Sequence, residues 1–110
     1  WVAWVGRNAR QNDEVTFHIG AADDLWLHAR GVPGSHVILK SAGRSVPKEI
    51  IARAAAFAAH YSQARGSTEV AVDITERRHV RRISGARPGL VTYRNERTVH
   101  VKPQAPDDEG

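Results

Sequence analysis

Asp24, Trp26 and His28 are separated from one another by single apolar residues. This alternation is typical of a β-strand that buries one face and leaves the other polar. The polar face would then present a carboxylate, an indole and an imidazole in one row, about 6.5–7 Å apart. We predict that this row is exposed and binds a polar, flat group, although the alternation also fits a sheet face that packs under a loop.

A turn at Pro33 and Gly34 leads from this strand into a second apolar stretch, residues 35–40. If the two strands pair in an antiparallel manner, His36 is brought next to the polar row. A glycine turn beside Ser35 and His36 leaves backbone N–H groups free, and such nests bind anions. The segment therefore favours an anion-binding site beside the row.

Asp24, His28 and His36 would also offer oxygen and nitrogen ligands for a divalent metal ion, with an Asp–His pair as general base. A metal-dependent enzyme, such as one that processes RNA, is therefore an alternative function. The sequence contains no His-Glu-x-x-His, Walker, Gly-x-Ser-x-Gly or dinucleotide-binding motif. We predict a non-enzymatic protein with no catalytic residue, no metal and no cofactor, and a protein-interaction domain is a further alternative.

Basic residues outnumber acidic ones, 16 to 12, and thirteen of the 16 are arginines. Arginine is preferred where phosphate is held in a fixed geometry, since its planar guanidinium offers paired donors. Five arginines fall between residues 77 and 87, and this run would attract polyanions unless it is simply a solvated face. A basic domain with exposed aromatic residues indicates nucleic-acid binding.

The polar loop over residues 6–13 could contact phosphates or base edges, while Asn12 or Asp13 would cap a following helix. The predicted nucleic-acid-binding residues combine this loop, the polar row, the turn and the arginine-rich segments. They are Arg7, Asn8, Arg10, Gln11, Asp24, Trp26, His28, Ser35, His36, Arg65, Arg77, Arg78, Arg81 and Arg82.

The hydrophobic pattern predicts a single α+β domain, with a mixed, mostly antiparallel sheet and one long alanine-rich helix packed on one face. The helix should begin after Pro47, run over residues 48–65 with an apolar stripe at 3.6-residue spacing, and stop at Gly66. A short helix is predicted over residues 14–19. The predicted strands cover residues 2–5, 24–29, 35–40 and 68–74, followed by a hairpin of 90–94 with 98–102.

A chain of 110 residues is long enough for one domain with a single core. We expect this domain to cover residues 1–103 and residues 104–110 to form a disordered acidic tail. Without cysteine, disulfide frameworks and cysteine-ligated zinc are excluded, and a cytoplasmic location is expected. No apolar run approaches the roughly 20 residues of a membrane span, and the start at Trp1 rather than Met indicates an excised domain.

Five motifs follow one another along the chain: Gly6-Arg7-Asn8-x-x-Gln11-Asn12-Asp13, Asp24-x-Trp26-x-His28, Pro33-Gly34-Ser35-His36-Val37, Tyr61-Ser62-x-Ala64-Arg65, and Arg81-Arg82-x-x-Gly85-Ala86-Arg87-Pro88-Gly89-x-Val91-x-Tyr93. Together they resemble the NFACT-R domain of the RqcH/NEMF ribosome quality control family. The resemblance implies an RNA-binding module of a factor that adds C-terminal tails to stalled nascent chains. It also implies tRNA and the large ribosomal subunit as partners, through the full-length protein. From the lack of a long apolar run, we expect no membrane partner.

Overall fold

The computed structural model describes residues 1–106. Residues 107–110 of the predicted tail, which include its three acidic residues, lie outside the described residues. Within residues 1–106, no helix is long and apolar enough to cross a membrane. The elements in chain order are β1 (Val2–Val5), α1 (Ala9–Glu14), a π-helix (Val15–Ile19), β2 (Leu25–Ala29), β3 (Val37–Lys40), α2 (Lys48–His60), β4 (Val70–Glu76), a 3-10 turn (Arg77–His79), β5 (Val80–Arg82), β6 (Val91–Tyr93) and β7 (Arg97–Val101).

The strands form a five-stranded sheet in the order β1-β3-β2-β4-β7 and a separate two-stranded sheet of β5 and β6. Each of these neighbouring pairs is antiparallel. The predicted antiparallel pairing of the second and third strands is confirmed, with Trp26 opposite Ile38. The α+β class is therefore confirmed, with helices and a mostly antiparallel sheet.

Helix α2 packs on one face of the large sheet through its alanines. Ala54, Ala55 and Ala58 are buried against Leu27 and Val72. Small side chains let the helix axis approach the sheet closely, so the strand residues beneath it can be large and aliphatic. The alanine-rich stripe therefore has the packing role that its spacing predicts.

The helix is shorter than predicted, since it ends at His60 rather than Arg65. Tyr61 leaves the helical conformation, and Ser62 instead forms a β-bridge with Gly34. The N–H of Ser35 donates to the Tyr61 carbonyl at 3.0 Å, and the N–H of Gln63 donates to the Pro33 carbonyl at 3.0 Å. Pairing with the loop after β2 thus replaces the last predicted turns of the helix.

The opposite face of the large sheet is covered as well. Trp26 and Ile38 pack with Val15 of the π-helix and Val80 of β5 in a second buried cluster. The π-helix and the small sheet of β5 and β6 supply this cover, and they come from segments distant in sequence. The domain therefore has apolar cores on both faces of its main sheet.

Two local predictions were wrong. The predicted N-cap at Asn12 or Asp13 is wrong, since the first helix begins at Ala9 with Asn8 as its N-cap. The helical segment predicted over residues 14–19 is present as the π-helix Val15–Ile19. The predicted hairpin of 90–94 with 98–102 does not form, since β6 pairs with β5 while β7 pairs with β4. The chain changes sheets at Asn95, which has φ 60°, and β7 covers the edge of β4 that would otherwise be unpaired.

Candidate nucleic-acid interface

An open groove of about 920 Å³ lies beside the C-terminal end of α2. One wall is the N-terminal part of α1, another is the loop between β2 and β3, and a third is the segment that enters β6. Gly89 in this third wall has φ 87°, and a Cβ there would lie 3.0 Å from the carbonyl oxygen of Ala9. Glycine therefore lets the third wall lie directly against α1.

The groove brings together half of the predicted binding residues and adds others. The predicted residues that line it are Arg7, Asn8, Trp26, His28, Ser35, His36 and Arg65. Sequence reasoning missed the contributions of His60, Tyr61, Gln63 and Tyr93. Tyr61 and Tyr93 were visible as members of the family motifs. Arg87 also lines the groove and is the last arginine of the run that was predicted to attract polyanions.

The charge of the groove is one-sided. Arg7, Arg65 and Arg87 line it, and among the described lining residues there is no Asp or Glu. Partial burial, together with the charges of Arg65 and Arg7, lowers the pKa of His60, which keeps this imidazole neutral at neutral pH. The groove thus carries an uncompensated positive charge that attracts anions.

An arginine and a tyrosine form a stacked pair on the groove wall. The guanidinium carbon of Arg7 lies 4.1 Å from the centroid of the Tyr61 ring. The His60 ring meets the same tyrosine edge-on, with 4.7 Å between the centroids. We call Arg7 and Tyr61 the stacked pair below.

The floor of the groove consists of aromatic rings in contact. His28 stacks on Trp26, with centroids 5.7 Å apart and an interplanar angle of 7°. Tyr93 also packs against Trp26, with the two ring centroids 4.7 Å apart. Trp26 itself is fully buried, at 0% exposure. The prediction that this indole is exposed and available to a ligand is therefore wrong, and the alternative of a covered sheet face is correct.

Tyr93 is fixed in the floor by a buried carboxylate on β4. Its hydroxyl donates to Asp73 at 2.6 Å, and Thr98 and Arg30 donate to the same carboxylate at 2.7 and 3.0 Å. Although burial alone raises the pKa of Asp73, these three donors outweigh burial and hold it below its usual value. Burial and the bond to Asp73 raise the pKa of Tyr93, so its hydroxyl remains a donor.

His36 connects the floor to α1 through a set of hydrogen bonds. The Nε1–H of Trp26 donates to His36 Nδ1 at 3.2 Å, and the Thr16 hydroxyl lies 2.9 Å from the same nitrogen. Because an indole N–H can only donate, Nδ1 must be unprotonated and the ring proton sits on Nε2. Burial, and secondarily the nearby His28, lowers the pKa of His36 to about 4. His36 is therefore a neutral structural acceptor.

Acidification should destabilise the fold through this histidine. The pKa of His36 falls from 6.5 to about 4 on folding, so between these values the unfolded chain binds more protons than the folded one. Stability is therefore fully present above pH 6.5 and declines as pH falls towards 4, by about 3 kcal/mol from this group. Urea unfolding at pH 7 and at steps down to pH 4.5 measures the decline. His36→Asn, which keeps an acceptor but does not titrate, should flatten it, and an unchanged slope in that variant would contradict the assignment.

Asp24 does not belong to the groove. It is fully buried at the far end of the row, where the backbone N–H groups of Ala21, Ser41 and Ala42 donate to its carboxylate at 2.8, 3.1 and 3.0 Å. Lys40 forms a salt bridge with the same carboxylate. Burial alone raises the pKa of Asp24, but the bond to Lys40 and those from the backbone outweigh it and lower the pKa. Asp24 is a structural anchor, and its predicted place in an exposed row is wrong.

The predicted anion nest at the Pro33–Gly34 turn is also wrong. The N–H of Ser35 donates to the Tyr61 carbonyl at 3.0 Å, and the N–H of His36 donates to the side-chain oxygen of Asn12 at 3.0 Å. These donors hold the loop against α1 and the end of α2, so they are not free to bind an anion.

The capping of α1 explains two polar residues of the first loop. Asn8 accepts a hydrogen bond from the N–H of Gln11 at 2.8 Å, and the Gln11 side chain accepts one from the N–H of Arg7 at 2.9 Å. This reciprocal pattern is close to a capping box, and the Asn-x-x-Gln spacing was a visible signal for it. Gln11 and the neighbouring Arg10 do not line the groove.

The arginine run is divided among different surfaces. Arg77 donates to the carbonyl of Thr16 at 2.9 Å, and Arg82 makes two hydrogen bonds to Asp13, at 2.9 and 3.0 Å. Both guanidinium groups lie over the Phe17 ring, at 4.7 and 4.2 Å from its centroid. These two arginines fix the π-helix in place. Arg78 pairs with Glu76, Arg81 is exposed, and neither lines the groove.

The alternative metal site is not assembled. Among residues 1–106, no three His, Asp or Glu side chains converge as ligands for a metal ion. Asp24 is engaged by Lys40 and backbone donors, and the Nδ1 of His36 is engaged by Trp26 and Thr16. Asp24, His28 and His36 therefore cannot act as the proposed ligand set.

Comparisons with known proteins agree on one family. The family model for the NFACT protein RNA-binding domain matches residues 1–95. The chain is 48% identical over 102 residues to the Rqc2 homolog RqcH of Bacillus subtilis (strain 168), covering 92% of this chain and 17% of that protein. It is 41% identical over 99 residues to the Rqc2 homolog RqcH of Streptococcus suis (strain 05ZYH33), covering 90% of this chain and 18% of that protein.

A solved structure has the same fold. The C-terminal part of the fibronectin/fibrinogen-binding protein from Streptococcus suis superposes with a TM-score of 0.88 and 40% identity. The match covers 93% of this chain and 41% of that chain. The present chain spans less than a fifth of the length of the curated relatives it matches.

Proposed function

This chain belongs to the family of NFACT protein RNA-binding domains, and from that membership we propose that the groove beside α2 is its RNA-binding surface. The observation that carries the proposal is the lining of the groove. Within residues 1–106, three arginines and no carboxylate surround aromatic rings. Guanidinium groups bind phosphates, and aromatic or guanidinium planes stack with bases, so this lining matches both parts of a nucleotide.

We further propose that the domain, residues 1–103, serves a ribosome-associated quality control factor, as the names of its relatives suggest. In such a protein it would contact tRNA or the RNA of the large ribosomal subunit while C-terminal tails are added to stalled nascent chains in the cytoplasm. The domain itself would bind RNA without catalysing a reaction. Arg10, Arg78 and Arg81 are exposed outside the groove, and they would extend the contact to more distant phosphates.

The salt dependence of RNA binding tests the groove. Three groove arginines that each neutralise one phosphate contribute about −2 to −3 to the slope of log K against log[salt]. We expect Arg87→Ala to weaken binding of a tRNA and to make that slope about 0.7–0.9 less steep. Fluorescence anisotropy of labelled tRNA, titrated at several salt concentrations, gives both quantities.

A matched variant separates the groove from net charge. Arg53 is exposed on α2 and does not line the groove, so Arg53→Ala removes the same charge at a different place. We expect its affinity to stay close to that of the unchanged protein. Equal losses in the two variants would show that the protein binds RNA by general charge and would reject the groove.

A further inference from the structure

The floor and the rim of the groove differ in chemistry. His28 and Tyr93 form the partly exposed floor. Burial lowers the pKa of His28, so the imidazole is neutral at neutral pH, and Tyr93 is held neutral by its bond to Asp73. The positive charges lie on Arg7, Arg65 and Arg87 of the walls. An uncharged aromatic floor beneath a cationic rim fits a ligand with a flat uncharged part and an anionic part.

The walls contribute apolar surface that a phosphate contact does not need. Val32, Pro33, Pro88, Leu90 and Val91 line the groove together with the aromatic residues. Its volume of about 920 Å³ lies within the range of sites that enclose small organic ligands, roughly 300–1,000 Å³. The open groove is thus large enough to accept a base against its walls, beyond a contact with the outside of a helix.

Double-stranded RNA cannot use such a lining. Its bases are paired and stacked, so a protein meets mainly phosphates and 2′-hydroxyls. Bases in loops, bulges and ends are free to stack on aromatic rings or on arginine planes. The stacked pair of Arg7 and Tyr61 offers such a plane, since Arg7 is exposed and lies over the ring at 4.1 Å.

We infer that the groove takes an unpaired RNA nucleotide, with its base on the stacked pair and the aromatic floor and its phosphates on Arg65 and Arg87. This inference rests on the proposed function, since it names the class of RNA that the groove binds. Duplex RNA is then a poorer ligand, bound through its phosphates alone.

The experiment compares two labelled probes by fluorescence anisotropy at fixed salt. One is a single-stranded RNA of roughly a dozen nucleotides, and the other is a blunt duplex of the same composition. Arg7→Lys keeps the charge but removes the guanidinium plane, and Tyr61→Ala removes the ring beneath it. Each variant should weaken single-strand binding roughly 5- to 150-fold, the range of one base–aromatic stack, and leave duplex binding unchanged.

Two matched variants serve as controls. Arg53→Lys makes the same exchange outside the groove, and Trp4→Ala removes an aromatic side chain that is 46% exposed on β1 and does not line it. Both should bind the single strand like the unchanged protein, and Tyr61→Phe should retain binding. Because Arg7 is exposed, Arg7→Lys tests the plane even if Tyr61→Ala fails to fold, as judged by its melting temperature.

Equal affinity for the two probes, with no effect of Arg7→Lys on either, would overturn the inference. The proposed function would survive that result if Arg87→Ala still weakened binding and changed its salt slope. If neither probe showed salt-dependent binding, the proposed function and the inference would both be rejected.

Discussion

Trp26→Ala is expected to lower the free energy of unfolding by about 3–5 kcal/mol, the usual cost of truncating a fully buried aromatic side chain. Trp26 is fully buried between Tyr93, His28 and His36. Its removal leaves a cavity beneath the groove and takes from His36 Nδ1 the donor held at 3.2 Å. Urea unfolding followed by circular dichroism measures the loss.

Trp4→Ala is the matched control, since Trp4 lies on the edge strand β1 and is 46% exposed. We expect its unfolding free energy to change by about 1 kcal/mol or less. A Trp26→Ala protein of nearly normal stability that had lost RNA affinity would contradict the structure. It would support the earlier prediction that the indole is exposed and contacts RNA. In the structure, Trp26→Ala can lower affinity only through loss of folded protein or through displacement of His28 and Tyr93, the floor rings that pack on Trp26.

The periodicity of β2 predicted a strand with two different faces, and this was confirmed. It could not predict whether the polar face was covered, because indole and imidazole rings suit a solvent-exposed surface and a buried aromatic cluster equally well. The cover comes from the π-helix Val15–Ile19 and from β5 and β6. These segments lie before the strand and far after it, so no local pattern around Trp26 contains the answer.

The arginine run shows the same dependence on distant partners. Its composition predicted a common phosphate-binding surface, but Arg77 and Arg82 are held over Phe17 by Thr16 and Asp13. A 3-10 turn at Arg77–His79 also breaks the regular strand alternation, which divides the guanidinium groups among different surfaces. The sequence shows how many arginines are concentrated in this segment, whereas the partner of each arginine depends on the tertiary fold.

The groove could be predicted in part because some of its residues belong to short local motifs. Arg7 and Asn8 precede a helix, and Ser35 and His36 follow a turn, so both segments were identified from their composition. The convergence of these loops with Tyr61 was not predictable, because α2 ends early to pair with the loop at Gly34. Helix propensity favours continuation through residues 61–65, and the bridge between Ser62 and Gly34 overrides it.

Asp24→Ala is expected to destabilise the protein by about 3–5 kcal/mol without changing the RNA affinity of the folded molecules. The carboxylate is fully buried, and its removal leaves three backbone N–H groups without their acceptor. Lys40 also loses its salt-bridge partner and keeps its hydrogen bond to the Ile19 carbonyl. Asp24→Asn should lose less stability, since it retains an acceptor oxygen and the shape of the side chain.

Asp23→Ala at the adjacent position, whose side chain accepts none of these bonds, controls for the turn itself. Melting temperature and anisotropy measured on the same samples separate the two effects. A stable Asp24→Ala protein with weakened RNA binding would overturn the structural role of Asp24. Removal of a negative charge cannot weaken the attraction of the protein for phosphate, so the loss of affinity would have to come from a direct contact between Asp24 and RNA.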